Sequence, residues 1–364
     1  MRPASIGLVL AAITVGASAG ITLWRGVPDK VPPYFSQANV SMAVEQDGDY
    51  RNFMWTADWW NSTISGEMNM GRMICPLSES ERSHLTTLTL EERGRMPLPC
   101  NYQDPEKLLA GSEIVQQIVS SVAALKAKRV AMVGLGPGTQ ATYWQRYHPE
   151  IERIDVVELS STVVDLAQQY FGLHPDRRLR IHVADGREWL KEAAPFDVFV
   201  HDATGSEHYF LWPSSLRLIR EKSNGGAMVI NMLGTPAPLK ALLISYFRLY
   251  FAEVRAYSDV VVASWTPLVM DWNGLPDYIR AWQEQGGEDA YRSSPLWWTV
   301  PLLSIVVLMA VLRTAATKTN EYVVQFDEEE LSPLAKLHPR AGFRFRQGFK
   351  ECDPAGRFAK QEVL

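Results

Sequence analysis

Residues 129–139 are Arg129-Val-Ala-Met-Val-Gly-Leu-Gly-Pro-Gly-Thr139, and this stretch decides the fold. Its first five residues predict a short strand buried on both faces, and helical patterning resumes between Gln140 and Tyr147. The glycines in between let the backbone turn tightly and leave room for a ligand to approach the N–H groups at the start of the helix. The stretch therefore predicts a ligand-binding unit of strand, loop and helix.

Three further apolar runs predict strands of the same sheet, and each of them leads to a carboxylate. They are Arg153-Ile-Asp-Val-Val157 before Glu158, Leu179-Arg-Ile-His-Val183 before Asp185, and Phe196-Asp-Val-Phe-Val200 before Asp202. Strands that alternate with helices at this spacing predict a parallel sheet with right-handed crossovers and a ligand at the carboxyl ends of the strands. A carboxylate at the second strand tip is well placed to accept hydrogen bonds from both ribose hydroxyls, so adenosine is the first ligand to consider.

The order and spacing of these motifs resemble class I S-adenosylmethionine (SAM) proteins, and among them the spermidine-synthase-like branch. The matching stretches are Val133-Gly-Leu-Gly-Pro-Gly-Thr139, Val156-Val-Glu-Leu159, His182-Val-Ala-Asp-Gly-Arg-Glu-Trp-Leu-Lys191 and Phe196-Asp-Val-Phe-Val-His-Asp202. The resemblance covers roughly residues 104–265. A glycine loop alone also occurs in NAD-binding Rossmann domains, so the resemblance depends on all four motifs in order.

The resemblance implies an α/β fold with a doubly wound, mostly parallel sheet of seven strands. Two short apolar runs at 253–257 and 260–265 predict the antiparallel hairpin that ends this sheet in class I methyltransferases. A helix is predicted from Asp104 to about Ala127, because Asp104 can cap it and Pro105 suits its first turn. The region before it corresponds to the small β domain that precedes the catalytic domain in spermidine-synthase-like proteins.

The resemblance also implies roles for individual residues around SAM or decarboxylated SAM. The cofactor-binding residues would be Gly134, Gly136 and Gly138 along the methionine moiety, Glu158 with Leu159 at the ribose, and Asp185 and Gly186 near adenine. Asp202 would face the reacting centre, where it orients or deprotonates the acceptor or contacts the sulfonium side of the cofactor. His208, in the next loop, is the second candidate catalytic residue, since histidine titrates near neutral pH. The alternative for that loop is an ordinary polar connection.

One departure from the family pattern bears on the reaction. Aminopropyltransferases carry an aspartate where this chain has Pro137, and a second acid where it has Thr204 and Gly205. Those acids hold the cationic amine substrate, so the first functional hypothesis is a membrane-anchored methyltransferase acting on a small or membrane-proximal acceptor. Aminopropyl transfer to a polyamine is the second hypothesis. A non-catalytic binding or scaffold protein that keeps the fold is the third.

The composition and the uncharged segments indicate which partners to expect. The chain has 364 residues and a net charge of −5, and its core has no basic block interleaved with aromatic residues, so no nucleic-acid surface is predicted. The Cys and His residues do not occur at the spacing typical of a zinc site, so no metal site is predicted. Residues 3–24 and 295–312 are uncharged and long enough to span a bilayer, although Ala17-Ser-Ala19 also resembles a signal-peptidase site. A mitochondrial targeting element is a third alternative for the first segment.

Several weak signals together predict the compartment. Basic residues after Arg313 place the tail in the cytosol and the preceding domain on the lumenal or extracellular side. Cys75 and Cys100, the two cysteines between the uncharged segments, would suit one disulfide there. Asn39 and Asn61 head glycosylation sequons, and a homodimer is left open.

The chain is thereby divided into six predicted segments. They are an anchor or signal at 1–25, a small N-terminal region at 26–103, the SAM-binding α/β domain at 104–270, a connector at 271–294, a transmembrane helix at 295–312 and a mixed-charge tail at 313–364.

Overall fold

The computed structural model describes residues 20–31, 38–59, 65–100, 104–109, 111–203, 210–233, 235, 237–257, 259–273 and 275. By its internal contacts the chain divides into two units, Met1–Gly234 with Phe251–Glu288, and Thr235–Tyr250 with Asp289–Leu364. The first unit contains two sheets, one of four strands and one of seven. The described part of the second unit includes one helix, Ala237–Tyr250.

The smaller sheet is antiparallel and lies in the N-terminal region. Its strands, in spatial order, are β1 (Ile21–Gly26), β2 (Ala38–Asp47), β3 (Tyr50–Trp59) and β4 (Ser65–Ile74). Phe53, Trp55 and Ala57 are buried while the residues between them are half-exposed, the period of two expected of a sheet with one covered face. Helices α1 (Glu79–Thr87) and α2 (Leu90–Arg95) follow, each starting at a capping box.

The end of the predicted first membrane segment forms strand β1 instead. Ile21–Gly26 pairs with β2, Leu23 is buried and Arg25 is exposed. Alternating burial across a paired strand is what a sheet requires, whereas a span would need a continuous helix. Residues 1–19 and the predicted helix 295–312 lie outside the described residues. In the described part of the chain, no helix combines the length and apolar character needed to cross a membrane.

The single helix predicted from Asp104 to about Ala127 is wrong, because the chain forms two helices there. These are α3 (Pro105–Leu109) and α4 (Glu113–Ala124). Between them the backbone of Gly111 passes so close to β4 that a Cβ would lie 2.2 Å from the Arg72 carbonyl oxygen. Ser112 then adopts extended geometry before α4 starts. The contact with β4 therefore interrupts the helix.

The larger sheet has the predicted class I methyltransferase topology. Its order is β10-β11-β9-β8-β5-β6-β7, with β5 to β9 parallel and β11 antiparallel to both β9 and β10. The strands are β5 (Arg129–Val133), β6 (Arg153–Glu158), β7 (Leu179–Val183), β8 (Val198–His201), β9 (Ala227–Asn231), β10 (Glu253–Tyr257) and β11 (Val260–Ser264). The connecting helices are α5 (Thr139–Tyr147), α6 (Ser161–Phe171), α7 (Gly186–Glu192), α8 (Pro213–Lys222) and α9 (Ala237–Tyr250).

A buried arginine joins the small sheet to the larger domain. Arg51 is fully buried, and it donates from Nε to Gln46 Oε1 at 3.0 Å and from Nη1 to the Tyr170 carbonyl oxygen at 2.6 Å. Its Nη1 also donates to the carbonyl oxygen of Leu98. Because Tyr170 lies in the last turn of α6, the guanidinium charge also meets the negative end of that helix. The small sheet is thus packed against the domain of the larger sheet as part of one unit.

The predicted Cys75–Cys100 disulfide is present in the structure, with a Cα–Cα distance of 5.4 Å. Both cysteines are buried. Of the two glycosylation sequons, Asn39 is exposed on β2, whereas Asn61 lies outside the described residues. The compartment itself stays a prediction.

The disulfide closes a segment of 25 residues in the sequence, and such a cross-link limits the freedom of the unfolded chain. Replacing both cysteines by alanine should lower the free energy of unfolding by about 3 kcal/mol. Denaturant unfolding of wild type and variant, each with and without reductant, measures this. Reductant should lower the stability of the wild type and leave the double variant unchanged. Equal sensitivity of both proteins would contradict the assignment.

Candidate active site

Three of the predicted site residues, Gly134, Glu158 and Asp202, lie at the carboxyl ends of β5, β6 and β8. In the sheet register, Val133 pairs with Val157 on one side and with His201 on the other. The ladder continues past the strand tips, because Gly134 N donates to the Val157 carbonyl oxygen and Asp202 N donates to that of Val133, both at 3.0 Å. The glycine loop therefore lies between the chain segments that carry Glu158 and Asp202.

The glycine loop adopts a backbone conformation that L-residues rarely accept. Gly134, Gly136 and Gly138 have φ values of +89°, +53° and +78°. Gly134 also has no space for a side chain, since a Cβ would lie 2.2 Å from the carbonyl oxygen of Asp202. Glycine is needed here for both the positive φ and the close approach. Gly134 and Gly136 are partly exposed, so a ligand could reach the main chain of the loop at these two residues.

The Glu158 carboxylate links the glycine loop to the start of α6. Its Oε2 accepts from Leu135 N at 3.1 Å, and its Oε1 accepts from Ser160 N at 3.0 Å. Burial raises the pKa of Glu158 against the opposing effect of these hydrogen bonds. Each oxygen has a further lone pair, so the group can still accept from the hydroxyls of a ribose. Leu159 is half-buried directly beside it.

Asp185 and Gly186 form the start of α7 at the next strand tip. Asp185 caps the helix, with Oδ1 accepting from Arg187 N at 2.8 Å and Oδ2 facing Arg187 Nη2 at 3.4 Å. Burial alone would raise the pKa of Asp185, but these interactions with Arg187 lower it. A Cβ on Gly186 would lie 2.8 Å from Phe210 Cζ. This close packing requires a small residue at the edge of the crevice.

Asp202 is held by two side-chain amides. Gln140 Nε2 donates to Oδ2 and Asn231 Nδ2 donates to Oδ1, both at 2.5 Å. The Asn231 amide is itself fixed, because its Oδ1 accepts from Leu233 N at 2.7 Å. Burial raises the pKa of Asp202 from 3.8 to about 6, although the hydrogen bonds from Asn231 and Gln140 oppose the shift. A carboxyl with this pKa can accept a proton near neutral pH.

Gln140 and Asn231 belong to the candidate site through their hydrogen bonds to Asp202, and neither was predicted from the sequence. Asn231 ends the apolar run Ala227–Ile230, so it follows the same strand-tip rule as the three acids and could have been found by it. Gln140 had no such signal, because its role depends on which way the first turn of α5 faces.

Of the two histidines close to Asp202 in the sequence, only His201 lies within the described residues. His208 lies outside the described residues, together with the rest of 204–209, so its catalytic role stays a prediction. His201 is buried, and its ring packs edge-on against Phe210 with the centroids 5.6 Å apart. It therefore belongs to the packing beneath the crevice.

Three carboxyl groups, from Glu158, Asp185 and Asp202, follow the carboxyl ends of β6, β7 and β8 in the same sheet. Carboxylates around a partly desolvated crevice attract a cationic ligand and disfavour an anionic one. A sulfonium nucleoside is such a cationic ligand, and its ribose could bind to Glu158. The arrangement can bind and orient such a ligand, and Asp202 can exchange a proton with a neighbouring group.

The chain is similar in sequence to two groups of curated relatives, and no family model matches it. It is 26% identical to the polyamine aminopropyltransferase of Vibrio vulnificus over 153 residues, 40% of this chain and 51% of that enzyme. It is 33% identical to the eEF1A lysine and N-terminal methyltransferase of Mus musculus over 81 residues, 21% of this chain and 12% of that protein. The predicted resemblance to SAM-type transferases of the spermidine-synthase-like branch is confirmed, and the chain spans about half the length of these relatives or less.

Solved structures of the same two groups also align with the chain. A probable spermidine synthase from Corynebacterium glutamicum covers 71% of this chain and 87% of its own, at a TM-score of 0.45 and 16% identity. Human methyltransferase-like protein 13, in complex with SAH, covers 50% of this chain and 90% of its own, at a TM-score of 0.37 and 18% identity.

Replacing Asp202 by asparagine should raise stability relative to the wild type as pH increases from 4 to above 6, whatever constant cost the loss of one acceptor oxygen adds. The carboxyl titrates near 3.8 when exposed and near 6 in the folded protein, so ionisation costs the folded state about 3 kcal/mol that asparagine does not lose. The gain should shrink as pH falls from 6 and vanish below pH 4. Thermal unfolding of both proteins across this pH range provides the measurement.

Asp197→Asn is the matched control, because Asp197 lies just before the other end of β8. Burial would raise the pKa of Asp197, but its hydrogen bonds from Arg129 and from Lys128 N lower it. This replacement should therefore destabilise the protein at neutral pH, with an effect that fades as pH falls through the lowered pKa. If the stability of Asp202→Asn relative to the wild type did not rise between pH 4 and pH 7, the raised pKa of Asp202 would be disproved.

Proposed function

We propose that this chain is a transferase that uses SAM and transfers its methyl group to a small or membrane-proximal acceptor. The observation that carries the proposal is the placement of the positive-φ glycine loop between Glu158 and Asp202. This arrangement offers a ribose acceptor on one side, a proton acceptor on the other and the partly exposed main chain of Gly134 and Gly136 between them. The sequence relatives, which are named as transferases, support the same class of reaction.

The residues of the crevice fit the cofactor. Glu158 and Leu159 would hold the ribose, Asp185 and Gly186 would lie at the adenine, and the loop Gly134–Gly138 would line the methionine part. When bound, SAM supplies a methyl carbon that is already activated by the adjacent sulfonium. The protein therefore mainly has to align the acceptor and exclude water.

Asp202 is the group that would act on the acceptor. Its two amide partners fix the orientation of the carboxylate, so no rearrangement is needed when a proton arrives. With a pKa near 6 it is largely ionised at neutral pH and remains basic enough to take a proton from an acceptor hydroxyl or ammonium group. Gln140 and Asn231 are positioning residues for this step.

Pro137 favours methyl transfer over aminopropyl transfer. It stands where aminopropyltransferases carry an aspartate that holds the amine substrate, and its ring lies against β4. A Cβ on Gly71 would lie 2.3 Å from Pro137 Cγ. The described part of the crevice therefore offers no acid at that loop position for a second cation.

Aminopropyl transfer from decarboxylated SAM to a polyamine is the second candidate. The similarity to polyamine aminopropyltransferases of Vibrio vulnificus and Pseudomonas aeruginosa, at 26% and 28% identity, favours it. The basicity of Asp202 would suit deprotonation of an amine acceptor as well as of a hydroxyl. The two candidates therefore differ in the cofactor that binds and in the acceptor.

Calorimetric titration of the full chain with SAM, S-adenosylhomocysteine and decarboxylated SAM separates the candidates. We expect the first two to bind, because the glycine loop itself, residues 134–139, contains no acid that would repel the methionine carboxylate. Selective binding of decarboxylated SAM, followed by product formation with putrescine, would replace methyl transfer by aminopropyl transfer. Binding of none of the three would favour the scaffold alternative.

Glu158→Ala should weaken SAM binding by about ten- to a hundredfold, since two hydrogen bonds to a carboxylate are lost. Glu152→Gln is the control, because Glu152 is an exposed acid just before the other end of β6. Its affinity should equal that of the wild type. Unchanged affinity in Glu158→Ala would remove the adenosine assignment.

We also propose that the domain is held at a membrane on its lumenal or extracellular side, with the C-terminal tail in the cytosol. The uncharged segments, the Cys75–Cys100 disulfide and the exposed sequon at Asn39 support this. Expression in microsomes should give a glycosidase-sensitive mass shift that Asn39→Gln reduces. Protease added outside should remove the tail and spare the domain. A domain that is digested with the tail would reverse the orientation.

A further inference from the structure

Asp29 reaches from the segment after β1 to the start of α6, which lies 131 residues further along the chain. Its Oδ1 accepts from Ser160 Oγ at 2.5 Å and from Thr162 N and Oγ1 at 3.2 and 3.1 Å. Its Oδ2 accepts from Ser161 N at 3.3 Å and Oγ at 2.9 Å. One carboxylate thus contacts three consecutive residues at the N-terminus of the helix.

The physical reason for this contact is the unsatisfied start of the helix. The first N–H groups of α6 have no partner within the helix, and its macrodipole places partial positive charge there. A carboxylate satisfies both requirements. Burial alone would raise the pKa of Asp29, but the hydrogen bonds from Ser160, Thr162 and Ser161 hold it well below its ordinary value. The group is therefore ionised wherever the protein is folded at neutral pH.

Ser160 connects this contact to the cofactor site. Its hydroxyl donates to Asp29, while its backbone N donates to Glu158 Oε1 at 3.0 Å. The other oxygen of Glu158 accepts from Leu135 N in the glycine loop. A continuous chain of hydrogen bonds therefore runs from Asp29 through Ser160 and Glu158 to the loop. Ser160 is almost fully buried, so water cannot easily replace Asp29 as its acceptor.

We propose that Asp29 is a positioning residue of the cofactor site, which fixes the turn at Ser160 and thereby holds Glu158 in place for the ribose hydroxyls. The inference rests on the proposed function, since it assigns Asp29 to the same SAM site. It makes the segment outside the SAM-binding domain a part of that site. Cleavage of a signal after Ala19 would leave Asp29 in the mature protein, so the role is independent of how the first segment is processed.

The test compares the affinity of the full chain for SAM in three variants. Asp29→Ala should lower it about tenfold, and Asp29→Asn should lower it less, because the amide keeps one acceptor oxygen for Ser160. Asp176→Ala is the matched control, since Asp176 is also a carboxylate that accepts from two backbone N–H groups, those of Arg178 at 2.8 Å and Leu179 at 2.7 Å. Asp176 lies in the turn before β7, away from the crevice, so the Asp176→Ala variant should bind SAM with wild-type affinity.

A double-mutant cycle with Glu158→Ala shows whether Asp29 acts through Glu158. In the Glu158→Ala background, Asp29→Ala should cause no further loss of SAM affinity. A further tenfold loss there, or wild-type affinity in the single Asp29→Ala variant, would overturn the proposal.

Hydrogen exchange measured by mass spectrometry gives a readout that needs no ligand. In Asp29→Ala, peptides that contain residues 134–136 and 158–163 should exchange faster, because Leu135 N and Ser160 N lose a fixed acceptor. The Asp176→Ala control should leave both peptides unchanged. If the wild type bound no SAM, the proposed function would fail, and exchange in the glycine loop would still decide whether Asp29 positions Glu158. Unchanged exchange there would overturn the inference.

Discussion

The close approach of the Gly134 backbone to Asp202 is the constraint on which the rest of the site depends. Strands β5 and β8 are hydrogen-bonded up to their tips, so the chain leaving β5 has no room for a side chain at residue 134. It must turn with positive φ, and this turn presents Leu135 N to Glu158 on the opposite side. One packing condition thereby fixes the loop and the two carboxyl groups that flank it.

The same arrangement buries the carboxyl groups of Glu158 and Asp202, which lowers the free energy of unfolding at neutral pH. Glu158 and Asp202 both have raised pKa values because burial disfavours their charged forms, and this opposes folding at neutral pH. Proteins retain such features where function needs them and compensate elsewhere. Here the contact of the buried Arg51 with Tyr170 holds the small sheet against the domain that carries the acids.

The sequence predicted those parts of the structure that depend on local pattern. Strands that end at Gly134, Glu158 and Asp202 are visible as apolar runs, and the hairpin after β9 follows from the same periodicity. The role of Asp29 could not be predicted, because a contact over 131 residues leaves no local signal. The break at Gly111 likewise depends on the backbone of β4, and the strand at Ile21–Gly26 becomes recognisable only once its partner β2 is known. Long-range contacts therefore account for most of what sequence reasoning missed.

The packing of the small sheet against the glycine loop bears on the proposed reaction. In the spermidine-synthase-like branch an acid in the glycine loop holds the cationic acceptor, whereas here Pro137 occupies that position and its ring fills the space above Gly71. Because β4 accommodates the proline only through this glycine, the presence of Pro137 in the loop depends on both parts of the chain. The remaining carboxyl groups are those that a sulfonium nucleoside would need, and none is added for an amine in the described part of the loop. This distribution of charge favours an acceptor substrate that has no positive charge close to Pro137.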